Sequence, residues 1–352
     1  MGKKEAMVSA LVKELELRQG EFKDEVVNTI YFGGGTPSVL DTFEIDRIIG
    51  AVKANYAIVA DPEITLEANP DDLSKEKIEE LVNSSINRLS IGIQSFFEED
   101  LKMMNRAHNA AEASACIVLA KNYFDNISID LIYGIPGMTN ERWVANIEKA
   151  LAFGIPHISS YALTVEPKTA LKSFIDKGLI PPVDDELAEA HFHILVQKLE
   201  TAGFISYEIS NFGKPGYFSR NNTAYWQGKK YVGIGPSAHS YDGTRRGWNI
   251  NNNTKYIKAI VQNELPMEIE VLSKADRYNE YIMTGLRTIW GVSLERIKTE
   301  FGLECHSYLM QQANNKIEDG LLYIEDDRLL VSSKGKFLSD GIASDLFLVN
   351  LS

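Results

Sequence analysis

Apolar, β-branched residues gather into short runs at 29–32 (TIYF), 64–67 (ITLE), 88–93 (RLSIGI), 127–133 (ISIDLIY) and 157–163 (HISSYAL). Each run ends in a glycine, proline or polar turn, and an amphipathic helical stretch follows. The runs are nearly continuous in apolar character, as expected of strands covered on both faces. They recur at roughly 25–40 residues, the length of a βα unit. This alternation predicts the α/β class with a sheet of parallel strands, either doubly wound or closed into a barrel.

The helical stretches carry their own signals. Ser74 is a candidate N-cap for a helix over 74–82, with charged residues in its first turn. Stretches 98–104 and 110–120 read as a helix pair, and 143–153 follows the turn PGMTNER. Leu11 and Leu15 mark the apolar face of an opening helix over 4–18. In a βα barrel each helix follows a strand, and no strand precedes this one. Either the fold begins with a helix, or the first barrel strand is missing from the sequence.

Two later regions change character. Residues 203–253 are rich in Gly, Asn, Tyr and Trp, and predict short strands and long loops that close a pocket. Stretches 275–288, 294–301 and 308–319 are helical, and LLYIEDDRLLVSS predicts a hairpin turning at 325–327. Helices followed by a hairpin resemble a winged helix. The expected division is a barrel over 1–200, a closing segment over 201–270, and a C-terminal helical, winged-helix-like domain over 271–352.

Composition narrows the function classes. The net charge is −13, the acidic excess is spread along the chain, and the hairpin tip is acidic. A nucleic-acid partner would need clustered Lys and Arg. No run of about 18 apolar residues occurs, so no membrane span is expected. The N-terminus lacks an apolar signal core, which makes the cytoplasm the default. Two cysteines, Cys116 and Cys305, encode neither a disulfide framework nor a zinc site.

Candidate chemistry lies at the ends of the strand runs. Tyr31-Phe32-Gly33-Gly34-Gly35-Thr36-Pro37 ends a strand in three glycines. Glycines let the backbone approach a ligand and adopt positive φ. The stretch is neither a P-loop nor a dinucleotide fingerprint. Glu67 ends the second run, Gln94 follows the third, and Asp130 sits inside the fourth. One polar residue per apolar strand is what a site at the C-terminal rim of a parallel barrel requires. Arg106, in MMNRAH, follows the Gln94 strand and offers a cation for a carboxylate. His108, His157, His191 and His193 form no metal-ligand pattern and read as structural. His239 differs, because it lies in the glycine-rich segment GIGPSAHSYDG.

Together YFGGGTPS, EITLEANPDDL, INRLSIGIQSF, MMNRAH, ISIDLIYGIPGMT, SSYALTVEP and GIGPSAHSYDG resemble the radical S-adenosylmethionine family, in the group of oxygen-independent coproporphyrinogen III oxidase and its heme-chaperone branch. The resemblance covers nearly the whole chain. It implies a partial (β/α)6 barrel, with Gly34, Gly35 and Thr36 meeting the methionine part of S-adenosylmethionine. It implies cofactor contacts at Glu67, Gln94, Arg106, Asp130 and Ala162. It further implies heme contacts at Asn222, Tyr225 and Trp226, and heme delivery to acceptor hemoproteins.

Two departures qualify that resemblance. The family's C-x3-C-x2-C loop, which holds a [4Fe–4S] cluster, is not among these residues, so radical chemistry is not expected of the chain as written. It should follow the first strand and precede the helix over 4–18. The second departure lies in Arg220-Asn221-Asn222-Thr223-Ala224-Tyr225-Trp226, where the chaperones show H-N-x-x-Y-W and this chain has Asn221 at the His position. Asn is a poor iron ligand beside imidazole, which leaves His239 as a substitute. A heme chaperone is the leading expectation. The rivals are a coproporphyrinogen III oxidase and a degenerate barrel without cofactor. A sheet edge left open by a missing strand would invite association into a homodimer.

Overall fold

Seven strands form one sheet in the order β1-β2-β3-β4-β5-β7-β6. They are β1 (Val27–Phe32), β2 (Ile58–Ala68), β3 (Arg88–Gln94), β4 (Ile127–Tyr133), β5 (His157–Ala162), β6 (Ile205–Glu208) and β7 (Asn211–Gly213). The structure is a computed structural model and describes residues 2–167 and 169–348. From β1 to β5 the spatial order follows the chain order. A doubly wound sheet reverses its order at a switch point, so this is the winding of a barrel.

Strands β2 to β5 pair in parallel, with Thr65 beside Arg88, Leu89 beside Ile127, and Ser128 beside His157. β7 runs antiparallel to both β5 and β6. Short strands were expected in this region, but an antiparallel extension of the barrel sheet was not. The chain contacts fall into two units. One comprises Thr29–Thr42 and Glu63–Ser219, and the other Met1–Asn28, Phe43–Pro62 and Arg220–Ser352.

In the first unit, strand alternation sorts side chains onto two faces. Leu66, Leu89, Ile91, Ile129, Leu131 and Ile158 share the apolar face and are fully buried. The helices cover the chain around them. Trp143, from the helix Asn140–Ala152, donates its indole N–H to His191 O at 2.8 Å, and Tyr133 packs on both Trp143 and Phe192. The opposite face carries Thr65, Glu67, Arg88, Ser90, Ser128 and Asp130. The N-cap at Ser74 forms as expected, accepting from Lys77 N at 3.2 Å.

In the second unit, the opening helix Gly2–Leu17 packs on the helix Asn253–Val261. Ala10 meets Tyr256 and Ile260, with Met7 and Leu11 beside them. Where loops were expected, Arg220–Trp226 forms a helix. A three-stranded antiparallel sheet follows, in the order β10-β9-β8, from β8 (His239–Tyr241), β9 (Arg245–Asn249) and β10 (Met267–Val271). The C-terminal helices Lys274–Leu286, Leu303–Glu318 and Ser339–Asp345 bury a core of Tyr278, Ile282, Leu286, Leu309 and Leu329. They carry a sheet of β11 (Val292–Ser293), β12 (Leu322–Glu325) and β13 (Arg328–Val331), a winged-helix-like arrangement.

A buried charge cluster fixes the opening helix to the glycine-rich segment. Glu14 is fully buried, and its carboxylate accepts from Asn249 Nδ2 at 2.8 Å, Gly235 N at 2.8 Å and Tyr256 OH at 2.6 Å. Arg18 adds a bond to Glu14 at 3.3 Å, and reaches Gly233 O and Ser240 Oγ. Gly233 is obligatory here, because a Cβ would lie 2.0 Å from His239 O. Removing one partner of a buried pair strands the other. Glu14→Ala is therefore expected to destabilise the fold by about 3–5 kcal/mol, and Tyr256→Phe by about 1–3 kcal/mol. Urea unfolding followed by tryptophan fluorescence measures both.

Candidate functional site

Glu67 joins the first two strands at their C-terminal ends. Its Oε1 accepts from Tyr31 OH at 2.7 Å, and its Oε2 accepts from Gly34 N at 3.0 Å. The glycines after β1 serve different needs. Gly34 and Gly35 take φ of +75° and +66°, with open space where a Cβ would point. Gly33 is needed for contact, since a Cβ would lie 2.6 Å from the Tyr31 ring and 3.0 Å from Glu67 Oε1. Burial and the Glu67 carboxylate push the Tyr31 phenol far above its ordinary range, so it stays a neutral donor. Thr36 follows, exposed.

Gln94 closes β3 in a strained conformation. The β3–β4 register shifts between Ile91 and Gln94, and Gln94 takes φ +68°. This irregularity folds its side chain back across Gly92, where a Cβ would meet Gln94 Nε2 at 2.7 Å. The side chain is buried on the face that carries Ser90. A left-handed non-glycine residue at a strand end stores strain, a frequent mark of ligand sites.

Asp130 lies on the same face in β4. Burial first, then the neighbouring Glu67 charge, raises its carboxyl to about 7. Arg88, a hydrogen bond from Ser159, and Arg106 oppose the rise. Arg106 itself is lowered by burial, against the pull of Asp130 and Asp71. Ala162 ends β5 beside Tyr133, exposed. The glycine turn, Glu67, Gln94, Asp130 and Ala162 thus sit on five strands that are adjacent in the sheet, with Arg106 within electrostatic reach of Asp130.

Below the rim, buried polar side chains bond to one another. Ser128 Oγ and Tyr207 OH hold the two nitrogens of His157, each at 2.7 Å. Burial, reinforced by Arg88, pushes His157 well below its ordinary value, so the imidazole is neutral. Ser159 donates to Asn211 Oδ1 at 3.0 Å, and Asn211 donates to Glu208 at 2.7 Å. His108 and His191 are likewise buried and bonded to backbone, at Ile93 O and Gly134 N. Tyr31 and Arg88 were missed in the sequence. The signal available for Arg88 was a charged residue opening an otherwise apolar run.

The heme-contact candidates lie in the second unit. Rings of Trp226, Tyr225, Tyr231 and Tyr241 follow one another at centroid spacings of 5.2, 5.7 and 6.1 Å. Tyr225 is 49% exposed, and Asn222 is half-buried one turn before it in the same helix. His239 is exposed and pairs across the sheet with Trp248, their rings 6.2 Å apart. A cavity of about 610 Å3 opens there, lined by His239, Trp248, Ile250, Leu265, Met267 and their neighbours.

Comparison with known proteins gives the class of the chain. The profile of the Radical SAM superfamily matches residues 3–150, and that of the HemN C-terminal domain matches residues 272–338. Coproporphyrinogen III oxidase (HemN) from Escherichia coli, a radical SAM enzyme, shares the fold at a TM-score of 0.82, with 21% identity over 98% of this chain and 84% of that one. The heme chaperone HemW of Lactococcus lactis is 34% identical over 346 residues, covering 98% of this chain and 90% of its own length. That of Escherichia coli is 30% identical over 97% of this chain and 89% of its own. The chain belongs to the HemW family of radical SAM proteins.

That family implies S-adenosylmethionine and a [4Fe–4S] cluster, and the residues present fit them unequally. The glycine cradle and the Glu67 and Asp130 carboxylates suit a small polar cofactor. The cluster does not fit. Gripping it takes three thiolates close in sequence, and this chain has two cysteines. Cys116 is buried with its thiol pushed up to about 12, mainly by desolvation. No cluster of three His, Cys, Asp or Glu suited to a metal occurs among the described residues.

The raised Asp130 carboxyl gives a pH prediction. The unfolded side chain ionises near 4, whereas the folded one holds its proton to about 7. Between these values the folded chain binds the extra proton, so Asp130 reduces stability as pH rises. Asp130→Asn should remove that slope, and gain on the order of 1–3 kcal/mol over the native chain between pH 4 and pH 8. Thermal unfolding across this range reads it, and parallel curves for the two proteins would contradict it.

Proposed function

We propose that this protein is a heme chaperone that takes up heme and passes it to acceptor hemoproteins in the cytoplasm, with S-adenosylmethionine bound at the rim of the strand ends. The observation that carries this reading is the kinship, over 97–98% of this chain, with proteins named heme chaperones. The aromatic face, with Tyr225 exposed and Trp226, Tyr231 and Tyr241 partly buried, supports it, because a porphyrin is a planar apolar ring that stacks on such side chains.

Each residue set has a defined part. Tyr225 and Trp226 supply a wall for the ring, and Asn222 supplies a polar contact at its edge. His239 supplies the imidazole, in place of the histidine that Asn221 replaces. At the rim, the backbone of Gly34, Gly35 and Thr36 meets the methionine part of the cofactor. The N–H groups of Gly35 and Thr36 receive its carboxylate, while the Gly34 N–H stays on Glu67. Glu67 and Asp130 take its hydroxyls and amine, and Gln94, Arg106 and Ala162 border it. S-adenosylmethionine brings a sulfonium, and its role here is binding. The rival reading as a coproporphyrinogen III oxidase has behind it a shared fold at 21% identity and the HemN C-terminal domain profile over residues 272–338.

Hemin titration followed at the Soret band tests the chaperone reading. A saturable shift is expected, weakened about tenfold or more when Tyr225 and Trp226 are both replaced by Ala, a loss of about 1.4 kcal/mol. Absence of any saturable change in the native chain would refute it. For the rim, calorimetry should show S-adenosylmethionine binding that Glu67→Ala reduces at least tenfold. Binding indifferent to that change would move the cofactor elsewhere.

A further inference from the structure

The aromatic face of the second unit has two chemically different ends. Strand register puts His239, Trp248 and Glu268 in one row, and Tyr241, Arg246 and Glu270 in the next row on the same face. Tyr231 bridges to Tyr241 and continues the face. Two residues along an antiparallel strand span about 7 Å. An exposed imidazole therefore stands one row away from a cationic end.

That end is rich in guanidinium. Arg246, Arg277 and Arg296 all act on the Tyr241 hydroxyl, with the Glu280 carboxylate opposing them and Glu270 and Asp276 close to Glu280. Two of the three are engaged. Arg246 pairs with Glu280 at 2.7 Å, and Arg296 pairs with Glu300 at 2.9 Å while lying over the Tyr281 ring. Arg277 differs. Its Nε is buried and has no hydrogen-bond acceptor, and Glu280, three residues along the helix, is committed to Arg246. Arginine keeps its charge at any physiological pH, and a buried N–H without an acceptor costs about 1–3 kcal/mol.

The geometry points to Arg277 as the anchor for a carboxylate of a planar tetrapyrrole whose ring lies on the tyrosine face with His239 at its far side. The occupant follows from charge complementarity. The face offers an aromatic surface, an imidazole for a central metal, and, for an acidic arm, a guanidinium whose Nε–H lacks an acceptor. Iron porphyrins that carry carboxylate side chains combine the matching three groups. Arg277 forks toward carboxylates in a plane, which a lysine cannot reproduce. This assignment rests on the heme-chaperone reading, and makes it specific by requiring the acidic arms.

The test compares hemin with hemin dimethyl ester, in which both carboxylates are blocked, on the full chain. The native protein should bind hemin at least tenfold more tightly than the diester. Arg277→Met should remove that preference while leaving diester affinity unchanged, and Arg277→Lys should keep the fold with a reduced preference. His239→Ala should move the Soret maximum and leave the preference intact. Hemin binding that ignores esterification in the native chain would overturn the Arg277 assignment alone. So would a preference that survives Arg277→Met in a folded variant. Failure of the native chain to bind either porphyrin would overturn both the assignment and the chaperone reading.

Discussion

The Glu67 carboxylate holds the rim of the strand ends together. Among the described residues β1 has β2 as its one neighbour in the sheet, and the far end of the loop that follows is held by Ser38 on Asp72 and by Lys77 on the Leu40 carbonyl. Glu67 holds the near end with both oxygens, one for the Tyr31 hydroxyl and one for the Gly34 N–H. Three consecutive glycines lose much conformational entropy on ordering, and a charge-assisted bond to their backbone offsets part of that loss. Burial raises the Asp130 carboxyl two strands away, and the same Glu67 charge adds to the rise. One side chain thus shapes the glycine cradle and contributes to the protonation of β4.

A polar face inside a parallel sheet needs partners, because buried donors and acceptors left unpaired are costly. The antiparallel extension supplies many of them. Tyr207 and Glu208 from β6, and Asn211 from β7, close the chains that begin at Ser128 and Ser159. His157 reads as structural in the sequence, and its two bonded nitrogens and neutral imidazole make it a brace beneath the rim.

Much of this was legible in the sequence. The five runs predict strands whose observed bounds agree closely at 127–133, and the one-polar-residue-per-strand pattern predicts the rim that Glu67, Gln94 and Asp130 occupy. Such features repeat locally and depend on alternation within a strand. What was not legible depends on distant pairing. The turn of Gln94 across Gly92 follows from a register shift against β4. The helix Arg220–Trp226 arises in a stretch whose Asn, Thr and Gly content favours loops. The Glu14 cluster joins residues more than two hundred positions apart. The aromatic face is visible in composition, but its ordering into an imidazole end and a guanidinium end needs the β8–β9 register.

The central claim is that glycines and carboxylates from separate strands form one cofactor rim. A crystal structure of the chain soaked with S-adenosylhomocysteine, which needs no cluster to be recognised, tests it most directly. The account predicts ligand density against the Gly34–Gly35 backbone, with Glu67 and Asp130 in hydrogen-bond contact. Density bound elsewhere, or a Glu67 side chain turned away from Gly34 and Tyr31, would contradict it.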